Sequence, residues 1–234
     1  MKVPYLTNSQ IENDTRLLLA EYEQRFGEIT EPPIDVEGII ESLFQLDLRF
    51  ANLKSSLGAD VLGATWIVER EVRVDETLDP TVDERKEGRY RFTLGHEVGH
   101  WRLHRPLFEA KVNQGNLFGE VGEPAIVCRS SSKEPQEWQA DVFSGFLLMP
   151  EPLVKKQWEV IVGSLEPYFA ADEIEAIQTR WSLAENNTPT VCVARKLAQV
   201  FKVSGQAMQI RLIGLGLIRT QNSQSLLFNQ ASEC

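Results

Sequence analysis

The sequence predicts an α+β fold, because its strand patterns and its helix patterns occupy separate parts of the chain. Alternating apolar residues predict three short strands in the early part of the chain, at Leu46–Phe50, Ala64–Glu69 and Glu71–Asp75. Helical periodicity precedes them at residues 9–26 and Val36–Phe44, and it returns after them. We therefore expect helices around a small antiparallel sheet, in which the last two strands form a hairpin.

Length limits the number of domains, and net charge limits the class of partner that the chain can bind. The 234 residues, of which 42% are hydrophobic and 25% charged, suit a globular protein of one or two domains. We predict a first domain over residues 1–160 and a C-terminal helical region over residues 161–234. The net charge of −10 argues against direct nucleic-acid binding, since Lys and Arg supply the affinity for phosphate.

Composition also predicts the compartment. The chain has no apolar run of the roughly 18 residues that a membrane span needs, and Met1–Tyr5 lacks the apolar start of a signal peptide. Three scattered cysteines, an odd number, do not suggest a disulfide framework. We therefore expect a cytoplasmic protein without membrane contact.

All three histidines fall in one short run from His96 to His104, and its first five residues fit the pattern H-E-x-x-H. A helix turns by about 100° and rises by about 1.5 Å per residue, so His96 and His100 lie one turn apart on one face. Two imidazoles at that spacing can converge on one zinc ion, with Glu97 beside the open coordination position as a general base. An exposed polar helix face is the alternative, but an apolar stripe on the same helix favours a buried site.

His104 is a less suitable third ligand. It lies about 12 Å from His96 along the axis of an unbroken helix, and Trp101–Leu103 contains no glycine at which the chain could turn. We interpret His104 as a residue of the last helical turn, favoured there by the helix dipole just before Pro106.

The run from Glu137 to Pro150 supplies a better third ligand. Glu137 and Asp141 lie one helical turn apart, so that the first can ligate the metal while the second orients a ligating imidazole through its other N–H. The alternative for both acids is a favourable position near the helix N-terminus. We expect this helix to be buried nearly all round. The same face carries small residues that would let the two helices approach closely, namely Ala140, Ser144 and Gly145.

These segments resemble the ImmA/IrrE family of metallo-endopeptidases. Arg91–His100 is similar to the family's R-F-T-x-x-H-E-x-G-H core, and Glu137–Pro150 is similar to its E-x-x-A-N-x-F-A-x-x-L-L-M-P segment. Pro33–Glu37 and the helix after it also look like the family's pattern. Asp141 is a departure, since many members have Asn there, but either side chain accepts a hydrogen bond from a histidine N–H.

The resemblance implies a zincin-like fold, a Zn²⁺ site (with Mn²⁺ also possible) at His96, His100 and Glu137, and cleavage of a protein substrate. In known members the substrate is a transcriptional repressor, and we expect one encoded nearby. The second hypothesis is a non-catalytic regulator that keeps the zincin core and acts through its C-terminal helices. Glu97 favours the enzyme, because a non-catalytic protein has no need of the general base. The candidates for an oxyanion stabiliser are Tyr90, His104 and Tyr168.

Residues 194–216 have the outline of a helix-turn-helix, with two short helices joined at Lys202–Ser204. Lys202 stands where such a turn often carries glycine, and Arg211 is the only cation of the second helix. We therefore expect this pair to pack or to dock a protein partner rather than to read DNA.

The stretch Asn113–Pro135, rich in Gly, Ser and charge, predicts a long surface loop. It contains Cys128, whose thiolate could reach the metal as a redox-sensitive lid. A semi-buried cysteine without a role is the alternative that we favour.

Overall fold

The computed structural model describes residues 3–107, 126–129, 134–184 and 187–220. It has a mixed α+β fold, as the sequence predicted. Packing divides the chain into two units, Met1–Pro150 and Glu151–Cys234. None of the helices in the described ranges is long and apolar enough to cross a membrane.

The first unit contains both predicted ligand helices and all three predicted strands. Its helices are α1 (Asn8–Phe26), α2 (Val36–Gly38), α3 (Leu53–Ser56), α4 (Glu87–Gly99) and α5 (Pro135–Leu148). Wider π-helical turns extend α2 over Ile39–Leu43 and α4 over His100–His104. Its strands are β1 (Asp47–Ala51), β2 (Val61–Trp66), β3 (Glu71–Asp75) and β4 (Ile126–Arg129).

The four strands form one sheet in the order β1-β3-β2-β4. Strands β2 and β3 form the predicted antiparallel hairpin, with Ala64 opposite Arg73. Strand β1, however, runs parallel to β3, so the sheet is mixed rather than antiparallel throughout. The reason is connectivity, because the chain passes through α3 between β1 and β2 and leaves the outer edge of β3 open to β1.

The segment Ile126–Arg129 corrects the prediction of one long loop. It forms β4, which pairs antiparallel with β2 and places Val127 against the apolar cluster of Leu53, Val61 and Trp66. Cys128 therefore lies in a strand, although its side chain is outside the described part of the structure. Apart from β4 and its last two residues, the predicted loop also lies outside the described residues.

The helices α1, α4 and α5 bury the site-bearing part of the first unit. Helix α1 begins with a capping box between Thr7 and Gln10, and it buries Ile11 and Leu18. Leu17 on the same helix is 49% exposed. The apolar side of α4 packs against the sheet and its small-residue side against α5, so the H-E-x-x-H segment is enclosed.

The second unit contains four helices in its described residues, at Glu151–Val162 (α6), Ala171–Trp181 (α7), Cys192–Phe201 (α8) and Gly205–Gly214 (α9). Short strands β5 (Tyr168–Phe169) and β6 (Ile218–Arg219) pair in parallel. The helix-turn-helix outline is confirmed as a pair of helices. Lys202 adopts the left-handed conformation, with φ of 54°, and Ser204 caps α9 by accepting from the Ala207 N–H.

Candidate metal centre

Small residues bring α4 and α5 into close backbone contact. A Cβ atom added at Gly95 would lie 2.5 Å from the Ser144 hydroxyl oxygen, and one at Gly99 would lie 3.2 Å from the Ala140 Cα atom. The Ser144 hydroxyl also donates to the Phe92 carbonyl oxygen at 2.8 Å. Gly145 does not take part, since nothing lies within 4 Å of its Cβ position. The close approach carries side chains of α5 to the histidines of α4.

His96, His100 and Glu137 lie together at this contact, and all three are buried. The two Nε2 atoms are 2.8 Å apart. The Glu137 carboxylate oxygens lie 3.3 Å from His96 Nε2 and 3.4 Å from His100 Nε2. Ligand atoms held at tetrahedral angles about 2.0–2.1 Å from a zinc ion are about 3.3 Å apart, so the carboxylate–imidazole distances match a zinc site, while the two Nε2 atoms lie closer together than that.

The polar atoms of the cluster also fit a metal ion. Glu137 Oε2 is buried, and within the described residues it makes no hydrogen bond, although it is close to His96. A buried carboxylate oxygen in that state is costly unless a cation compensates it. Two imidazole nitrogens and one carboxylate are the donor set that zinc takes in hydrolases, so the residues present fit the ion.

The protonation states favour metal binding. Burial lowers the pKa of His100 to about 4, which keeps its imidazole neutral. Burial would raise the pKa of Glu137, but its contacts with the imidazoles of His100 and His96 outweigh burial and bring that pKa to about 2. Neutral imidazoles and an ionised carboxylate are the forms that bind a cation.

Asp141 contacts His96 on the side away from the cluster. The His96 Nδ1–H donates to Asp141 Oδ1 at 2.8 Å. The Asp141 side chain is 56% exposed and Trp138 is 39% exposed, so the prediction that α5 is buried nearly all round was wrong. The physical reason is that, among the described helices, α1 and α4 pack on two sides of α5 and leave the side of Trp138 and Asp141 open.

Glu97 is completely buried next to the cluster and is held by β2. The Thr65 hydroxyl donates to Glu97 Oε2 at 2.6 Å, while Oε1 has no hydrogen-bond partner in the described part of the chain. Burial raises the pKa of Glu97 to about 7, against the lowering effect of His96 and of the Thr65 hydrogen bond. A carboxylate with a pKa near neutrality can both accept and return a proton.

Comparison with known proteins identifies the family. The model of the peptidase M78 family, described as the IrrE N-terminal-like domain, matches residues 82–212, which is more than half of the chain. The chain belongs to this family. The match includes every residue of the cluster, and it confirms the resemblance that the sequence motifs indicated.

Other comparisons add little to the family assignment. A structure of a Mycobacterium tuberculosis transcriptional regulator is similar, with 13% sequence identity and a TM-score of 0.46. The similar region covers 88% of this chain and 47% of that chain, so this M78 member spans about half the regulator's length. Among proteins with curated functions, none matches the chain.

His104 has a different environment in this M78 domain from the one its sequence position suggested. It lies in the last turn of the π-helical extension of α4, and it is buried there, at 1% exposed. Its Nδ1 lies 2.9 Å from His100 Nδ1, and its Nε2 lies 3.0 Å from Gln139 Oε1. The Gln139 amide in turn donates to the Pro4 carbonyl oxygen at 2.8 Å.

The three candidates for an oxyanion stabiliser have other partners. The Tyr90 hydroxyl interacts with Glu37 beside a cavity of about 200 Å³, and burial with this acid raises the Tyr90 pKa. His104 contacts His100 and Gln139. Tyr168 belongs to the second unit, where its hydroxyl donates to Glu173 at 2.9 Å.

Sequence reasoning missed three residues that support the M78 site: Thr65, Gln139 and Gly63. A Cβ atom on Gly63 would lie 2.6 Å from Glu97 Oε1, so only glycine leaves room for that carboxylate. A glycine inside a strand pattern is a known signal of close approach and could have been noticed. Thr65 and Gln139 had no local signal, because their partners are distant in sequence.

Proposed function

We propose that this M78 member is a zinc-dependent endopeptidase that cleaves a cytoplasmic regulatory protein, and that the substrate is a DNA-binding transcriptional repressor. The observation that carries the proposal is the convergence of three buried ligand residues, His96, His100 and Glu137, beside a fourth buried group, Glu97. Membership of a peptidase family supports the reaction type.

His96, His100 and Glu137 would hold the ion in this proposal. A bound zinc ion supplies Lewis acidity, which polarises the peptide carbonyl and lowers the pKa of a water molecule. Glu97 accepts a proton from the attacking water at its unpaired Oε1 and returns it to the leaving amide nitrogen as the C–N bond breaks. Thr65 holds the other oxygen, Oε2, and fixes the direction of the carboxylate. Enclosure of Glu97 by the sheet keeps bulk water from its carboxylate.

A non-catalytic regulator with the same core is the alternative. The state of Glu97 argues against it, because a fully buried carboxylate with one unpaired oxygen is destabilising. A protein that used the fold only for binding would gain stability by replacing this residue with an apolar one. A catalytic role explains why the costly group is present.

The helix pair α8–α9 supports a protein partner more than a nucleic acid. Arg211, the only cation of α9, is 7% exposed and so is not presented for phosphate or base contacts. Ile210 and Ile213 on the same helix are 64% and 39% exposed. We propose that they contribute to docking the repressor, whose basic DNA-binding surface would complement the net charge of −10.

The test is cleavage of the purified repressor encoded nearest to the gene, with Zn²⁺ or Mn²⁺ added. The variant Glu97→Gln should keep its fold and bound metal but cleave roughly 10²–10⁴-fold more slowly, the usual contribution of a general base. Glu84→Gln, which neutralises an exposed acid before α4, is the matched control and should cleave normally. Undiminished cleavage by Glu97→Gln would exclude the mechanism. An intact repressor alongside rapid degradation of an unrelated unfolded protein would exclude the proposed substrate.

A further inference from the structure

A continuous chain of hydrogen bonds leads from His100 to the backbone of Pro4. It passes from His100 to His104, then to Gln139 on α5, and ends at the Pro4 carbonyl oxygen, with successive distances of 2.9, 3.0 and 2.8 Å. The three side chains are 0%, 1% and 1% exposed. Pro4 itself is exposed, but the three side chains are shielded from water, and each must be satisfied by its neighbour in this hydrogen-bond chain.

The Pro4 carbonyl oxygen, at the end of this series of hydrogen bonds, determines which group is the donor in each of them. A backbone carbonyl oxygen can only accept, so the Gln139 amide must turn its NH₂ group toward Pro4. The Gln139 carbonyl oxygen then faces His104 Nε2, which must carry a hydrogen. A neutral imidazole has one N–H, so His104 Nδ1 is an acceptor. His100 Nδ1 must consequently be the donor to it, which leaves the lone pair of His100 on Nε2.

We propose that Gln139 and His104 are positioning residues that hold His100 in the tautomer whose Nε2 lone pair is directed at Glu137 and His96. The proposal rests on the zinc site of the proposed function. His100 is thus oriented by two neutral side chains. His96 is oriented differently, because its Nδ1–H donates directly to the half-exposed carboxylate of Asp141.

The two ligating histidines are oriented by different kinds of group, and the reason is electrostatic. The buried region already contains two acids, Glu97 and Glu137, and a third charge there would add to their mutual repulsion. A neutral imidazole and a neutral amide orient His100 without adding charge. Gln139 suits the end of this chain because one side chain must accept from His104 and donate to Pro4. A glutamate carboxylate at position 139 would face the Pro4 carbonyl oxygen with no hydrogen to donate to it.

The tautomers can be read directly in the metal-free protein by ¹⁵N NMR of the imidazole nitrogens, since the chain contains three histidines in all. We expect the hydrogen on Nδ1 in His100 and on Nε2 in His104. In Gln139→Leu, which removes the acceptor, we expect His104 and His100 to populate both tautomers. A wild-type His100 with its hydrogen on Nε2 would overturn the proposal without any variant.

Zinc affinity, measured by competition with a chromogenic chelator, gives the second readout. Gln139→Leu should raise the dissociation constant about 10- to 100-fold. Gln139→Glu keeps the acceptor for His104 and should recover part of the loss. Gln136→Leu, on the same helix one turn earlier, is the matched control and should leave the affinity unchanged. Wild-type affinity and unchanged tautomers in folded Gln139→Leu would overturn the positioning role, whereas a wild-type protein that binds no zinc would instead refute the proposed function.

Discussion

At the scale of single residues, the site depends on which atom of each side chain carries a proton. Glu97 has one oxygen bound by Thr65 and one unpaired, and its pKa is raised to about 7 by burial. His100 is kept neutral by burial, and Glu137 is ionised through its contacts with the histidines. These states follow from tertiary packing rather than from residue type, so the same residues in an exposed helix would not have them.

Thr65→Val tests the proton-accepting role of Glu97. The Thr65 hydrogen bond stabilises the carboxylate and lowers its pKa, so its loss raises that pKa further above the ordinary value. Glu97 must be ionised to accept a proton, and the acid limb of kcat/KM should therefore move to higher pH. Thr65→Ser keeps the hydroxyl and should return the acid limb of kcat/KM to its wild-type pH. The buried Thr15→Val on α1 is the control, and an acid limb that stays in place in Thr65→Val would contradict the assignment.

Local geometry explains which site residues the sequence could predict. His96 and His100 share a helical face whatever surrounds them, and Asp141 follows Glu137 by the same rule. The partners of His104 were not predicted, because nothing near it in sequence indicates Gln139 or Pro4 as part of its environment. Contacts that depend on two distant segments have no periodic signature.

At the scale of elements, the centre depends on the close packing of α4 against α5 on one side and β2 on the other. The sequence predicted the α4–α5 contact, because glycines on α4 and small residues on α5 recur at helical spacing. It did not predict β4 or the parallel pairing of β1, because strand partners are set by chain connectivity and not by the strand's own pattern.

Gly63→Ala tests the contribution of β2. Its Cβ atom would lie 2.6 Å from Glu97 Oε1 and 2.8 Å from Thr93 Cγ2, so the buried carboxylate has to move. We expect kcat/KM for the repressor to fall about 10²-fold, the cost of a misplacement of roughly 1 Å, while zinc content stays unchanged.

Gly145→Ala on α5 is the matched control for that substitution. No atom lies within 4 Å of its Cβ position, and Ala is favoured over Gly in a helix by up to about 1 kcal/mol. This variant should therefore be fully active and slightly more stable to urea. Wild-type activity in Gly63→Ala would show that Glu97 does not depend on its contact with β2.

At the scale of the whole molecule, charge is the property with the clearest consequence. The chain carries 34 acidic and 24 basic residues, and the one cation of α9 is buried. Composition alone argued against a nucleic-acid partner. Composition does not identify a protein substrate, so the proposal that the partner is a repressor rests on the family.

Association with the repressor should weaken as salt is added. The attraction between an acidic enzyme and a basic DNA-binding surface acts at long range, and it is screened within about 10 Å at 0.1 M salt and about 3 Å at 1 M. Stopped-flow measurement with the inactive Glu97→Gln variant should show a falling association rate and a nearly constant dissociation rate. An association rate independent of salt would contradict this mode of recognition.

Metal analysis of the purified protein by mass spectrometry tests directly whether His96, His100 and Glu137 hold a zinc ion. His96, His100 and Glu137 converge through a helix contact that their own elements build, so the wild type and Glu97→Gln should each bind about one equivalent of zinc. His100→Ala should retain only a small fraction of that amount. Equal zinc in His100→Ala and the wild type would show that the ion is held elsewhere, and would rule out a zinc site at these three residues.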